Sequence, residues 1–425
     1  MKTRKTLTTT QIMTVIFCYT FAFWFSKELV RPAISISLSD SDSSSVIVGM
    51  LLSLQNFLPL ILCIPMSSWG DRYGHEKVLN LGSAFTVISG IFFLLSLMCG
   101  GSAMIWLITV GQIFSGIAWT VSWISLQALT SGCDEKNKDA GKSANGVNRL
   151  ILIMSFGMVL GPALSGVLID TVGITSVWTI NMLFCIVQMV FSMMLRGSVQ
   201  TEDKRQKAVR LQETGNGIVK QLGGLIYFTM VTFSFIMMFG SEIRSSYMSV
   251  LLRDASVASN TIGVISSLGA LATCLIRVVM NLKCMEKIPK TLLIVISMSF
   301  SVAAFVTLAF LPVGNMYAIP SILIGLCGGM VEPVLIMIIL DNADRNRKGL
   351  ALTGRVLVNR LAMFVAPLIA SLLVTALGIT KGFGIIASVL LVLIIVTLSG
   401  MKIDSRRKRY EESCSTKKKN RAYHF

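Results

Sequence analysis

Long apolar segments separated by short polar stretches follow one another along the whole chain of 425 residues. Each segment reaches about 20 residues or more, which is the length that an α-helix needs to cross the hydrocarbon core of a bilayer. Twelve segments can be drawn, at 11–37, 46–69, 78–99, 103–131, 144–169, 173–195, 221–252, 258–282, 289–312, 315–340, 350–377 and 380–401. The pattern predicts an all-α integral membrane protein whose twelve transmembrane helices form two six-helix bundles.

The composition supports a bilayer as the environment of the chain. Hydrophobic residues make up 53% of it, charged residues only 14%, and the mean hydropathy is +0.73. Soluble domains carry about 25% charged residues, and a chain this apolar removes its surplus from water only inside lipid. An ordinary soluble domain is therefore excluded, and the loops are too short to form a separate one.

Basic residues are concentrated in alternate loops. The net charge of +17 comes from 38 Lys and Arg against 21 Asp and Glu. Most of the basic residues lie near the N-terminus, in five loops and after residue 401, whereas the opposite loops hold only Arg253 and Lys381. Cytoplasmic loops carry such an excess. We therefore predict a plasma-membrane protein with both termini in the cytoplasm, and no nucleic-acid partner.

The longest polar stretch divides the chain near its middle. It predicts an N-terminal six-helix bundle at 1–195, a cytoplasmic linker at 196–220, a C-terminal six-helix bundle at 221–401 and a basic cytoplasmic tail at 402–425. The first apolar segment is long, and no small-residue cleavage site follows it, so we interpret it as a retained helix and not as a signal peptide.

The two halves repeat each other in sequence. Residues 25–31 align with 239–245 at an offset of 214, and the same offset pairs Gly49 with Gly263. A second match, at an offset of 205, pairs Pro162 with Pro367. Duplicated six-helix halves are typical of transporters that expose a site between the halves to either side in turn. The repeat therefore indicates transport.

Cysteine and histidine give no sign of a metal site. None of the nine cysteines lies in a CxxC pattern, and five lie within apolar runs, so we interpret them as reduced core residues. The two histidines, His75 and His424, lie in a loop and in the tail. We expect no metal and no cofactor.

The loop after the second segment carries a recognisable motif. It reads Ser67-Ser68-Trp69-Gly70-Asp71-Arg72-Tyr73-Gly74-His75-Glu76-Lys77. This resembles the motif that the major facilitator superfamily carries in the same loop, with departures at Ser67, His75 and Glu76. The resemblance implies the major facilitator fold, a gating role for Asp71 and Arg72, and a tight turn at Gly74.

The fifth segment holds a pattern of small residues and proline, formed by Gly157, Gly161, Pro162 and Gly166. It resembles the signature of the drug/proton antiporter branch of that superfamily, in which it accompanies export more than uptake. Small residues let helices approach closely, and the resemblance implies a gating role for these four residues. In the fourth segment, Gln112 replaces an Arg that proton-coupled members carry, which puts their standard coupling mechanism in doubt.

Ionisable residues inside predicted spans are candidates for function, because each costs about 2.5–3.5 kcal/mol to insert. We assign proton coupling to Glu28, Glu242 and Glu332, and the first two occupy equivalent positions of the repeat. An alternative is that Lys27, Glu28 and Arg31 satisfy one another within one helix. Glu332 has no basic residue within a helical turn, so we expect it either to carry a proton or to hydrogen-bond another helix without titrating.

Substrate binding is assigned to basic and aromatic residues of the spans: Lys27, Arg31, Trp119, Trp123, Arg244, Tyr247 and Arg360. Glu242 and Arg244 lie two residues apart, so we expect each to pair across helices or with substrate. Trp119 and Trp123 belong to a polar and aromatic stripe that suits either substrate stacking or packing against a neighbouring helix.

Three further arginines lie toward the cytoplasmic ends of their spans, and Arg360 lies deeper in its span. We expect Arg149, Arg277 and Arg355 to act as interfacial anchors or inner-gate residues, because long side chains reach the interface from such positions. Arg360 lies about ten residues into its span and is expected to meet an anionic group of the substrate.

These observations predict a secondary active transporter. The interpretation that they favour is a monomeric, proton-coupled exporter of a small polar or amphipathic organic compound, with protons, the small-molecule substrate and the bilayer as its partners. An alternative within the same class is a proton-coupled importer of an organic anion. A membrane receptor or enzyme is a remote alternative, because the chain shows no nucleophile, metal or paired-carboxylate motif and no binding or signalling module.

Overall fold

The structure, a computed structural model, describes residues 8–40, 45–139, 146–196, 224–280, 288–342 and 348–422, together with residues 282 and 285. Within these ranges the secondary structure consists of helices joined by short turns, with no β-strand. Ten of the helices are long and apolar enough over their described residues to cross a membrane. The prediction of an all-α integral membrane protein with twelve helices is confirmed.

Six helices form the N-terminal half. They are α1 (Thr9–Ser39), α2 (Ser45–Tyr73), α3 (His75–Ser96), α4 (Gly101–Asp139), α5 (Gly146–Thr171) and α6 (Ile174–Leu195). Prolines lie inside α1, α2 and α5, and each removes one backbone donor from its helix.

The C-terminal half repeats this order. Helix α7 begins at Gly224–Glu242, passes through a π-helical turn at Ile243–Tyr247 and ends with Met248–Asp254. It is followed by α8 (Ser259–Met280), α9 (Lys290–Phe310), α10 (Ala318–Asn342), α11 (Lys348–Leu377) and α12 (Ile379–Ala422). The predicted linker at 196–220 lies outside the described residues except for Arg196, and α12 continues through most of the predicted basic tail.

Helix packing obeys the internal repeat. In the N-terminal half α1 packs against α5 and α6, and α3 packs against α4 and α6. The equivalent pairs recur in the C-terminal half, where α7 packs against α11 and α12, and α9 against α10 and α12. The two halves contact each other mainly through α5 with α8 and through α2 with α11, which are again equivalent pairs.

The residues that the two sequence matches paired meet at these interfaces between the halves. A Cβ added to Gly49 of α2 would lie 2.8 Å from the carbonyl oxygen of Pro367 in α11. In the equivalent place Gly263 of α8 lies against the carbonyl of Pro162 in α5, and a Cβ there would be 3.0 Å from the Cα of Gly166. Backbone therefore touches backbone at both interfaces, which only glycine permits.

Among the described residues, several hydrogen bonds and an ion pair between the halves lie at one face of the molecule. We call the face at the end of α1 the Ser39 face and the opposite one the Thr9 face. At the Ser39 face, Asp40 accepts two hydrogen bonds from Arg253, at 2.8 and 2.9 Å, and Ser39 bonds to Asp254. Asp170 of α5 accepts from the first backbone amides of α8, at 3.2 and 2.7 Å. The negative charge of Asp170 also interacts favourably with the N-terminus of α8, which carries a partial positive charge.

Where both partners are described, hydrogen bonds between the halves run from the middle of the helices to the Ser39 face. The innermost join Asn56 of α2 to the Met363 carbonyl and Ser267 of α8 to the Val159 carbonyl. The halves are therefore joined on the Ser39 side of the molecule.

Helix α5 also lies close to α1. A Cβ on Gly157 would be 2.8 Å from the backbone nitrogen of Phe25, and one on Gly161 would be 2.8 Å from that of Leu29. The close approach that the glycine pattern predicts is present. The neighbouring atoms belong to the backbone of α1, which has no rotamers with which to avoid an added side chain.

Replacing Gly161 with alanine tests this packing. We expect Gly161→Ala to destabilise the protein by about 1–3 kcal/mol, because α1 and α5 must move apart. Gly384→Ala in α12 is the matched control, since no atom lies within 4 Å of its added Cβ, and alanine favours a helix over glycine by about 0.5–1 kcal/mol. Thermal unfolding in one detergent should lower Tm for the first variant only. Equal Tm values would contradict the packing argument.

Candidate substrate and coupling site

The candidate site lies where the middle of α1 meets the π-helical turn of α7. A π turn widens the helix and is often found at functional sites. All five residues of the turn are buried, and Glu242 directly precedes it. The turn places Glu242 and Arg244 opposite the charged residues of α1.

An ion pair joins the two halves at this point. Nη2 of Arg31 donates to Oε2 of Glu242 at 3.2 Å, and only 10% and 1% of these side chains are exposed. Glu28 lies farther from Arg31, at 4.0 Å, so the stronger partner of Arg31 comes from the other half. The alternative of a cluster satisfied wholly within α1 does not describe this geometry.

Two neutral side chains complete the surroundings of Glu242. Ser246, one turn farther along α7, donates its hydroxyl to Oε1 at 2.7 Å, and Asn56 of α2 donates its amide at 3.4 Å. The sequence analysis did not single out either residue. Asn56 lies in the middle of an apolar segment. A polar side chain is costly there, so its position in the sequence indicates a functional residue.

Arg244 has a different role from Arg31. It donates through Nη1 to the carbonyl oxygen of Ser266 in α8, at 2.9 Å. Among the described residues no carboxylate lies within 4.0 Å of it, and its Nε has no hydrogen-bond partner. Arg244, Arg31 and Glu28 line one small cavity between α1, α5, α7 and α8.

An aromatic cluster lies beside the ion pair. Trp24 of α1 contacts Trp119 and Trp123 of α4 edge to face, with ring centroids 6.3 and 5.3 Å apart. The ammonium of Lys27 lies 4.9 Å from the Trp24 ring and 4.8 Å from the Trp119 ring. The guanidinium of Arg360, from α11, stacks on Trp119 at 3.3 Å. The stripe of α4 therefore both packs on α1 and contacts two cations.

A second cavity opens next to Lys27 within the N-terminal half. Its volume is about 30 Å³, and aromatic, hydroxyl and amide side chains line it. Its wall includes Phe23, Ser26, Lys27, Ser89, Phe93, Ser115, Trp119 and Asn181.

Two predicted substrate residues do not reach these cavities. Tyr247 is fully buried in an apolar cluster that includes residues of both halves, where its hydroxyl has no partner among the described residues. Trp123 packs against Trp24 and lines neither cavity.

Glu332 bonds to other helices, which is one of the two alternatives that the sequence left open. Nη2 of Arg277 in α8 donates to it at 2.5 Å, and Arg355 of α11 lies 3.7 Å away. The sequence reasoning looked only one turn along the same helix, whereas both partners come from other helices. Its described residues come from three helices of the C-terminal half.

The loop motif is described in part. Gly74 has φ +96°, a left-handed value that glycine adopts readily, and it forms the turn between α2 and α3. The exposed Arg72 lies 5.6 Å from the Tyr73 ring. The side chain of Asp71 lies outside the described residues. Within those residues no three His, Cys, Asp or Glu side chains are grouped to hold a metal ion.

Comparison with known proteins identifies the architecture. The family model described as Major Facilitator Superfamily matches residues 16–240 and 230–420. No curated protein matches the chain in sequence.

Several solved structures are similar in fold. A bacterial homolog of the human lysosomal transporter Spinster, in an inward-facing and unoccupied conformation, is 11% identical, with a TM-score of 0.68 over 94% of this chain and 97% of its own. A peptide transporter POT in complex with sulfate is 15% identical, with a TM-score of 0.70 over 91% and 94%. The human organic anion transporter MFSD10 (TETRAN) is 15% identical, with a TM-score of 0.60 over 92% and 100%.

The cluster around Glu332 yields a test of stability. We expect Glu332→Ala to lower Tm by several degrees, because it leaves Arg277 and Arg355 close together without their carboxylate. The loss should fall below the about 3–5 kcal/mol typical of fully buried pairs, since 20% of the Arg277 and 25% of the Glu332 side chain is exposed. Glu76→Ala, in the first turn of α3, is the control. Equal Tm values for both variants would show that the cluster does not stabilise the C-terminal half.

Proposed function

The chain belongs to the major facilitator superfamily, and we propose that this membrane transporter is a proton-coupled exporter of a small polar or amphipathic organic compound. We further propose that it works as a monomer in the plasma membrane with both termini cytoplasmic. In that orientation the Ser39 face is extracellular and the Thr9 face is cytoplasmic. The distribution of Lys and Arg among the loops supports the orientation.

The observation that carries the proposal is the ion pair between Arg31 and Glu242. Its partners come from the two halves, so separation of the halves at the Ser39 face breaks it. A buried carboxylate that loses its cationic partner is costly, and a proton removes that cost. Opening toward the outside is therefore linked to protonation of Glu242.

A transport cycle follows from this link. With the Ser39 face closed, Glu242 is ionised and paired, and the central region takes up substrate from the cytoplasm. When the halves rock apart at the Ser39 face, Glu242 takes a proton from outside while the substrate leaves. Return to the first state releases that proton inside, because Arg31 again competes for the carboxylate. Glu28, which lines the same cavity as Arg31 and Arg244, is the second proton acceptor in this scheme.

The direction of transport rests on the fifth helix. Gly157 and Gly161 pack against α1, and Gly166 packs against α8, so one helix contacts the partners that form the Ser39 face. The resemblance of this pattern to the antiporter signature favours export. Asp71, Arg72 and Gly74 are proposed to bias the same conformational change from the opposite face.

The substrate is identified first by comparing the metabolites of cells with and without the protein. Transport is then measured in proteoliposomes under an imposed pH gradient. We expect Glu242→Gln and Glu28→Gln to abolish uphill transport while energy-independent exchange continues, because the neutral side chains no longer bind and release a proton. The control is Asp134→Asn, a buried carboxylate that caps α5 far from the ion pair.

Two outcomes would contradict this mechanism. Uphill transport by both Gln variants with unchanged dependence on pH would make the carboxylates structural. Loss of coupling in Glu332→Gln alone would show that the coupling residue is Glu332, in the cluster with Arg277 and Arg355.

A further inference from the structure

Lys27 of α1 is an enclosed amine without an acidic partner. Its Nζ lies 4.9 Å from the ring centroid of Trp24 and 4.8 Å from that of Trp119. Among the described residues no carboxylate lies within 4.0 Å of Nζ, and no side chain or carbonyl accepts a hydrogen bond from it. The faces of two indole rings are therefore the contacts that Nζ makes with the protein.

The charged groups around Lys27 do not neutralise it. The two nearby carboxylates both contact Arg31, at 4.0 and 3.2 Å. Arg31 follows Lys27 by one helical turn, and the guanidinium of Arg360 lies 3.3 Å from the centroid of the same Trp119 ring. The titratable and charged groups of this region come from four helices: Glu28 and Arg31 of α1, Cys185 of α6, Glu242 and Arg244 of α7, and Arg360 of α11.

Lys27 is the one base of this group that can change its charge. Arginine keeps its proton in proteins, whereas an enclosed lysine serves as an ionisable amine. Two neighbouring guanidiniums repel an ammonium at this position and do not repel a neutral amine. The indole faces attract the ammonium and offset part of that repulsion, so the balance between the two forms depends on where the guanidiniums lie.

The cavity beside Lys27 supplies a place for the group that accepts the proton. Its volume is about 30 Å³. A water molecule needs about 10–15 Å³ and two or more polar partners, so there is room for about two waters. Gln55, Ser89 and Ser115 in the wall offer hydrogen bonds to them. The size and lining of this cavity therefore suit the transfer of a proton between Nζ and water.

We propose that Lys27 carries a proton in the transport cycle. One N–H bond of the ammonium breaks, the proton passes to water in the cavity, and the electron pair stays on Nζ. The reverse step restores the ammonium. Lys27 thus has a different role from the substrate binding that its sequence position suggests.

Arg360 links this proton to the placement of the halves. Lys27 belongs to the N-terminal half and Arg360 to the C-terminal half, and their distances to the shared ring centroid place the two groups no more than about 8 Å apart, the sum of 4.8 and 3.3 Å. Whatever else Arg360 contacts, its guanidinium stays charged. Approach of the halves at this point favours the neutral amine, and separation favours the ammonium.

This inference rests on the proposed function, because it adds a residue to the proton coupling of the same transporter. With the Ser39 face closed, the repulsion from Arg31 and Arg360 acts on Lys27. In the same conformation Arg31 competes with the proton for Glu242. Both groups therefore release a proton in the state that is open to the cytoplasm.

The test is a titration followed by nitrogen NMR of the full chain, with nitrogen-15 lysine, in lipid nanodiscs without substrate. Ammonium and amine nitrogens differ in chemical shift. We expect one Nζ signal to change from the ammonium to the amine position between about pH 6 and pH 9, while exposed lysines, whose pKa is about 10.4, remain ammonium.

Variants assign the signal and test its link to the other half. Lys27→Arg and Lys27→Gln should each remove the titrating signal. Arg360→Gln should raise the midpoint of its titration by about one to two pH units, the effect of two charges about 8 Å apart at an effective dielectric constant of about 20. Lys381→Gln, which removes an exposed charge of α12, is the matched control and should leave signal and midpoint unchanged.

The inference is overturned if every Nζ signal stays at the ammonium position up to about pH 9, a result that needs no variant. It is also overturned if the titrating signal persists without Lys27, or if folded Arg360→Gln leaves its midpoint unchanged. Failure here is distinct from failure of the proposed function. If Lys27 keeps its proton while Glu242→Gln uncouples transport, the exporter stands and the role of Lys27 falls. If Lys27 titrates while both Glu→Gln variants transport uphill normally, the role of Lys27 stands and the carboxylate mechanism falls.

Discussion

The contact between Arg31 and Glu242 is the constraint on which the rest of the site depends. Both groups are buried where the halves meet, with only 10% and 1% of their side chains exposed. Each therefore needs the other, and each belongs to a different half. In such a position the ion pair forms only when the two halves are close together, so the charge balance at Glu242 depends on how the halves are placed. Ser246 and Asn56 donate the other hydrogen bonds to the Glu242 carboxylate. All of its partners are therefore in place only when α1, α2 and α7 lie together.

Close packing makes this pairing possible. Gly49 and Gly263 bring the backbones of the two halves into contact on either side of the ion pair, against Pro367 and Pro162 respectively. Van der Waals contact between backbones is a main source of helix association in lipid, where no hydrophobic driving force exists between helices. The same contacts hold α1 at the distance at which Arg31 reaches Glu242. The polar contacts of Asp40 and Asp170 then close the Ser39 face over them.

The sequence predicts features that depend on local periodicity or duplication, and the structure shows why it predicts others poorly. The twelve helices follow from apolar length, and the interfaces between the halves follow from the repeat, since Gly49 and Pro367 meet as Gly263 and Pro162 do. The sequence does not reveal which residues of different helices form ion pairs with each other. Two alternatives stayed open for Glu332, because its partner Arg277 is 55 positions away in the chain.

The central claim is that the ion pair between Arg31 and Glu242 holds the Ser39 face closed. The most direct test measures the distance between spin labels at Val172 and Ala255, exposed positions of the two halves at that face, in a cysteine-free background. We predict one short distance when the ion pair is intact, and an added population at longer distance in both Arg31→Gln and Glu242→Gln. Distance distributions that superimpose on that of the parent protein in both variants would contradict the claim.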